Sequence, residues 1–65
     1  MKGFTYEPID GIARHKEVDR KPREWRELMN RCLSQGGRRI IADGDTLVTL
    51  PGIGLVFEVY GAIQA

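Results

Sequence analysis

The sequence predicts an α+β fold: one amphipathic helix packed on an antiparallel β-meander of three strands, or four if residues 4–7 also pair, behind an extended N-terminal arm. Three observations lead there. A proline and a double glycine bracket a stretch whose apolar residues recur at helical spacing. After the double glycine the chain breaks into short β-rich runs separated by Asp, Gly and Pro. With 65 residues, 42% hydrophobic and 29% charged, the chain has the composition of a folded domain and a length that suits one. A domain of this size buries only about 60% of the surface its unfolded chain exposes, so its margin of stability is thin.

Residues 1–21 form the arm. Phe4, Tyr6, Ile9 and Ile12 are interrupted by Pro8 and Gly11, and 4–7 reads as an edge strand. Arg14 to Lys21 is charged with weak apolar periodicity and reads as an exposed loop.

The helix is expected over 22–35. Pro22, with its fixed φ and missing N–H, suits a first helical position, and Gly36-Gly37 suits a stop. Trp25, Leu28, Met29, Cys32 and Leu33 follow the i, i+3, i+4, i+7, i+8 pattern of a core-facing stripe. Arg23, Arg26, Glu27, Asn30, Arg31 and Ser34 take the other side, with Glu27 and Arg31 in the favourable i, i+4 orientation. Trp25 reads as a core residue.

The meander is expected over 38–62, with strands at Arg38–Ala42, Thr46–Leu50 and Leu55–Ala62. Asp43-Gly44-Asp45 supplies the first turn and Pro51-Gly52-Ile53-Gly54 the second. Pairing Leu50 with Leu55 sets Val48 opposite Phe57 and Thr46 opposite Val59, and a three-residue first loop adds Ile40 and Ala42 to that face for the helix to cover. The opposite face then shows Arg39, Ile41, Leu47, Thr49, Val56, Glu58 and Tyr60, too apolar to be left to solvent. The final strand runs out in uncharged residues, which marks it as an edge open to strand addition or edge-to-edge dimerisation.

Charge is strongly polarised. All ten Lys and Arg residues fall in 1–39, which carry +4; residues 40–65, with Asp43, Asp45 and Glu58, carry −3. Such asymmetry bears on partners and encounter rather than on fold.

Catalytic parts are scarce. Nucleophilic, acid–base and metal chemistry each need a clustered set of groups, and the chain has one His, one Cys and scattered acids. Cys32 lies on the apolar stripe, where a thiol is packing. His15 reads as a solvated residue, or else as a pH sensor or partner contact. Asp43 and Asp45 are turn residues, and Gly52-Ile53-Gly54 lacks the spacing and following helix of a phosphate loop. No enzyme activity, metal or cofactor is therefore expected. A single cysteine and the lack of a secretory or membrane-spanning pattern point to the cytoplasm and to no membrane association.

Two functions remain. In the first, the chain binds a protein through apolar Ile41, Leu47, Ile53, Val56 and Tyr60, with arginines steering it to an acidic surface and homodimerisation as the simplest version. Ile53, between two glycines, either tucks under the sheet or stands out as an anchor. In the second, Arg14, Lys16, Arg20, Lys21, Arg23, Arg26, Arg38 and Arg39 contact the phosphates of a nucleic acid; Glu17, Asp19, Glu24 and Glu27 dilute that field. In size and in its lack of a catalytic set the chain resembles accessory proteins of bacteriophages and prophages that inhibit or redirect host factors. That resemblance implies an inhibitor or adaptor acting by occlusion and carries over no residue.

Overall fold

The computed structural model describes residues 1–9 and 12–63, with the backbone alone described at 7–9 and 12–15. One helix packs on a five-stranded antiparallel sheet. The elements run β1 (Lys2–Ile9), β2 (Ile12–Asp19), α1 (Pro22–Ser34), β3 (Arg38–Ala42), β4 (Asp45–Leu50) and β5 (Gly54–Val59). The sheet order is β2-β1-β5-β4-β3. The α+β class holds, and the expected three or four strands undercount the sheet.

The arm is where the undercount arises. Residues 2–9 and 12–19 form a hairpin paired from Lys2↔Asp19 to Ile9↔Ile12, so the expected loop at 14–21 is largely β2. β1 is an interior strand rather than an edge, because Gly3, Phe4 and Thr5 also pair with Val59, Glu58 and Phe57 of β5. The expected exposed edge at the final strand is likewise absent: β5 is flanked by β1 and β4. β2 and β3 are the true edges. β2 reads as a loop because α1 lies against β4 and β3, at the other end of the sheet; of its described side chains, Val18 is the one packed against the core.

α1 starts and stops where expected. The Lys21 N–H donates to the Glu24 carboxylate, one half of a capping box, and Pro22 occupies the first turn. At the other end the Gly36 N–H donates to the Leu33 carbonyl and the Gly37 N–H to that of Cys32, a Schellman motif with Gly36 at φ 86°. Trp25 and Met29 are buried, Leu28 and Cys32 half-buried, and Leu33 exposed at the margin of the stripe.

The core gathers Trp25, Met29, Val48, Phe57, Val59 and Ile63 on the helix side. Trp25 stacks at a tilt on Phe57 (5.3 Å between centroids), and its Nε1–H donates to the Met1 carbonyl (2.8 Å). Gly3 lies beneath the indole, where a Cβ would collide with the Glu58 carbonyl. Ile63 belongs to no strand. The chain leaves the sheet after Val59 and folds back, held by the buried Thr46 hydroxyl, which donates to the Gly61 carbonyl (2.9 Å) and accepts from the Ile63 N–H (3.1 Å). Asp45 accepts the Gly61 N–H.

The expected pairs Thr46↔Val59 and Val48↔Phe57 are present, and two details of register differ. Ala42 pairs with Asp45 across a two-residue turn, Asp43 and Gly44, both at positive φ (52° and 83°). This is the geometry an Asp-Gly pair favours, because its twist matches that of the strands. The shorter turn puts Ile41 and Arg39 on the helix-side face and Ile40 and Arg38 on the other, reversing the expected assignment. In the second hairpin Leu50 pairs with Gly54 and Thr49 with Leu55, so Val56 is the extra residue of a bulge. It packs against the core margin instead of standing on the outer face.

Among the described residues no helix is long and apolar enough to cross a membrane.

Candidate functional site

The helix covers one face of the sheet; among the described residues no element lies across the other. Alternation along the strands fixes what this open face displays. One row runs across four strands, Glu17 of β2, Phe4 of β1, Glu58 of β5 and Leu47 of β4, with Ile40 of β3 beside Leu47. Tyr6 and Tyr60 flank the row. Phe4 and Tyr60 meet edge to face, 5.8 Å between centroids at 84°, and the Tyr6 hydroxyl donates to Glu58 Oε1 at 3.1 Å. Tyr60 and Ile40 are each 47% exposed, and Phe4, Tyr6, Leu47 and Glu58 are half-buried.

This face is acidic as well as aromatic. Burial, then the hydrogen bond and charge of Glu58, then Tyr60, hold the Tyr6 phenol above its ordinary pKa. Tyr60 is raised by desolvation first and then by Glu17, Glu58 and Asp45. Three carboxylates therefore act on one phenol. Among the described residues the one salt bridge joins the Met1 α-ammonium to Asp19, and no described Lys or Arg side chain pairs with Glu17 or Glu58.

The residues singled out from sequence are dispersed. Leu47 and Tyr60 lie on the open face. Ile41 is exposed on the helix-side face at the β3 edge, Val56 is in the bulge, and Ile53 stands out at the β4–β5 turn, 56% exposed, rather than tucking beneath it. The basic residues form no common patch. Arg38 and Arg39, being consecutive in a strand, face opposite sides of the sheet. Arg20 is half-buried with its guanidinium 5.0 Å over the Trp25 ring. Lys21 and Arg23 are exposed at the start of α1, and Lys16 is exposed on β2. Arg26 lines a small groove with Met1, Pro22, Ala62 and Ile63. The side chains of Arg14 and His15 lie outside the described residues.

Phe4 and Tyr6 join this face without having been singled out from sequence, although their alternation about Thr5 is a readable sign of a strand with both aromatics on one side. Burial pushes the Cys32 thiol up against a smaller opposing pull from Arg31, so it stays protonated at neutral pH. Among the described residues no three His, Cys, Asp or Glu side chains gather where they could hold a metal ion. Comparison of the chain with protein-family models, with curated proteins and with solved structures finds no match.

Proposed function

We propose that this protein is a small non-enzymatic protein-binding module, an inhibitor or adaptor that acts by occluding a partner's surface with the sheet face opposite the helix. The observation that carries the reading is the row of Phe4, Tyr60, Leu47 and Ile40 around the Tyr6–Glu58 pair on the sheet face away from the helix, with Tyr60 and Ile40 each 47% exposed. Aromatic residues with a polar handle supply large contact area at low entropic cost, and Glu58 gives the patch an acceptor at its centre. The fitting partner presents apolar residues around an Arg or Lys. The acidic partner expected from the arginines would instead meet the outer side of α1, where Arg23, Arg26 and Arg31 alternate with Glu24 and Glu27.

The same carboxylates weigh against a nucleic acid on this face, since phosphate binding needs a positive field. A reducing, cytoplasmic setting suits the unpaired Cys32 thiol.

Affinity capture from native-host lysate with nuclease treatment tests the reading, wild type being compared with Tyr60→Asp. One dominant protein retained by wild type after nuclease, and lost with Tyr60→Asp in a domain still folded by circular dichroism, is the expected result. Material lost on nuclease treatment and indifferent to Tyr60→Asp would overturn it in favour of a nucleic-acid binder.

A further inference from the structure

The two edges of the sheet are built differently. β2 ends in Lys16, Glu17 and Asp19, charge that interrupts any apolar run along that edge, whereas β3 confines its charge to Arg38 and Arg39 at one end and finishes in three uncharged residues. β3 reads Arg38-Arg39-Ile40-Ile41-Ala42, and every residue in it is exposed. Ile40 and Ile41 are 47% and 53% exposed, on opposite faces of the same strand, so no cover over one face alone would bury both. A strand laid alongside would shield both.

The backbone of β3 is ready for one. The two-residue turn makes Ala42 and Asp45 a hydrogen-bonded pair, so Ala42, Ile40 and Arg38 direct their N–H and C=O groups to β4. By alternation those of Arg39 and Ile41 point to the open edge.

We propose that β3 pairs with β3 of a second copy of this chain, antiparallel about a two-fold axis at Ile40, joining two five-stranded sheets into one. The register follows from the residues. Side chains in antiparallel neighbours must share a face, so a two-fold axis normal to the sheet passes through a residue, and Arg39, Ile40 and Ile41 are the choices. An axis at Arg39 sets the two Arg39 side chains directly opposite each other, a like-charge pair. An axis at Ile41 runs the ladder into Asp43 and Gly44, whose positive φ values are not those of a strand. An axis at Ile40 keeps all five residues in the ladder. It places Arg39 opposite Ile41 of the other copy, Ile40 opposite Ile40, and Arg38 opposite Ala42 with Asp43 of opposite charge next in line. The hydrogen bonds run between Arg39 and Ile41, the residues whose groups point outward. One strand is thus complementary to itself, as a two-fold interface requires.

Sedimentation velocity across a wide concentration range gives the association, and two substitutions locate it. Ile41→Pro removes an N–H that β4 does not use, so the fold is kept, and it should raise the dimer dissociation constant roughly tenfold or more. Ile41→Lys serves the same purpose should the proline disturb folding. In a Cys32→Ser background, Ile40→Cys should oxidise readily to a disulfide-linked dimer. The Cα atoms of a non-hydrogen-bonded pair lie about 4.5 Å apart, within disulfide range. Ala42→Cys, offset from its own copy in this register, should not. A wild type that stays monomeric throughout overturns the proposal and leaves the edge to a strand of a different protein. A dimer indifferent to both Ile41 variants, or one in which the two cysteines cross-link equally, overturns it as well.

Discussion

On the helix side of the sheet, Val48, Phe57 and Val59 are sealed beneath Trp25, Met29 and Ile63, none of them more than 5% exposed. On the other side, Phe4, Tyr6, Leu47 and Glu58 stay half-buried, and Tyr60 stands 47% exposed. The same strands supply both faces, and both are rich in large apolar side chains. What separates them is cover, so residues of similar type should carry stability on one face and recognition on the other.

The sharpest test sets Trp25→Ala against Tyr60→Ala. Removing a fully buried aromatic costs about 3–5 kcal/mol, against a total stability of roughly 3–10 kcal/mol for a chain this long. Trp25→Ala should therefore be largely unfolded or close to it by circular dichroism. Tyr60→Ala should shift the urea midpoint only slightly, by less than about 1 kcal/mol, while abolishing partner capture. Equal losses of stability would erase the distinction between the faces.

Next in size is Thr46→Val. It keeps the shape of the side chain while leaving the Gly61 carbonyl and the Ile63 N–H without their hydroxyl partner. A loss of about 1–3 kcal/mol is expected by urea denaturation. Thr49→Val, at a half-buried position of the same strand on the open face, should stay within about 0.5 kcal/mol.

The smallest effect concerns the phenols of the open face. Both Tyr6 and Tyr60 have pKa values raised in the folded state, so each contributes stability that is fully present below the ordinary phenol pKa and lost as pH climbs through the raised value. Tyrosinate absorbance in the folded protein should appear at higher pH than in urea. Glu58→Gln should bring Tyr6 part of the way down, burial keeping the rest of its shift.

The legible parts of this chain are those in which local and global signals agree. Pro22 and Gly36-Gly37 bound α1, and its stripe faces the core from Trp25 to Cys32. The Val48↔Phe57 and Thr46↔Val59 pairs come out as expected even though the Leu50–Leu55 pair from which they are counted is absent, because the bulge at Val56 makes up for the shorter turn. β2 was illegible because an edge strand distant from the helix has no need of an apolar face. The face taken by β3 turned on a single residue of loop length: a longer loop grouped Ile40 with Val48, and Asp-Gly at positive φ decided otherwise. The bulge at Val56 and the return of Ile63 into the core leave no periodic trace, since each depends on a distant partner. Of the candidate site, Leu47 and Tyr60 were readable. Phe4 and Tyr6 join them through pairing between chain segments more than fifty residues apart, which no local pattern encodes.

That long-range seam has a kinetic consequence. β1–β2 and β3–β4–β5 are each assembled from neighbouring segments, and the sheet becomes continuous only when Gly3, Phe4 and Thr5 find Val59, Glu58 and Phe57. Closing a loop of that length carries its entropic penalty before any contact compensates it, so the seam is the natural late event in folding. Trp25 rests against Gly3 from one side of the seam and Phe57 from the other. Its fluorescence is an intrinsic clock for the moment at which the two halves of the chain become one sheet.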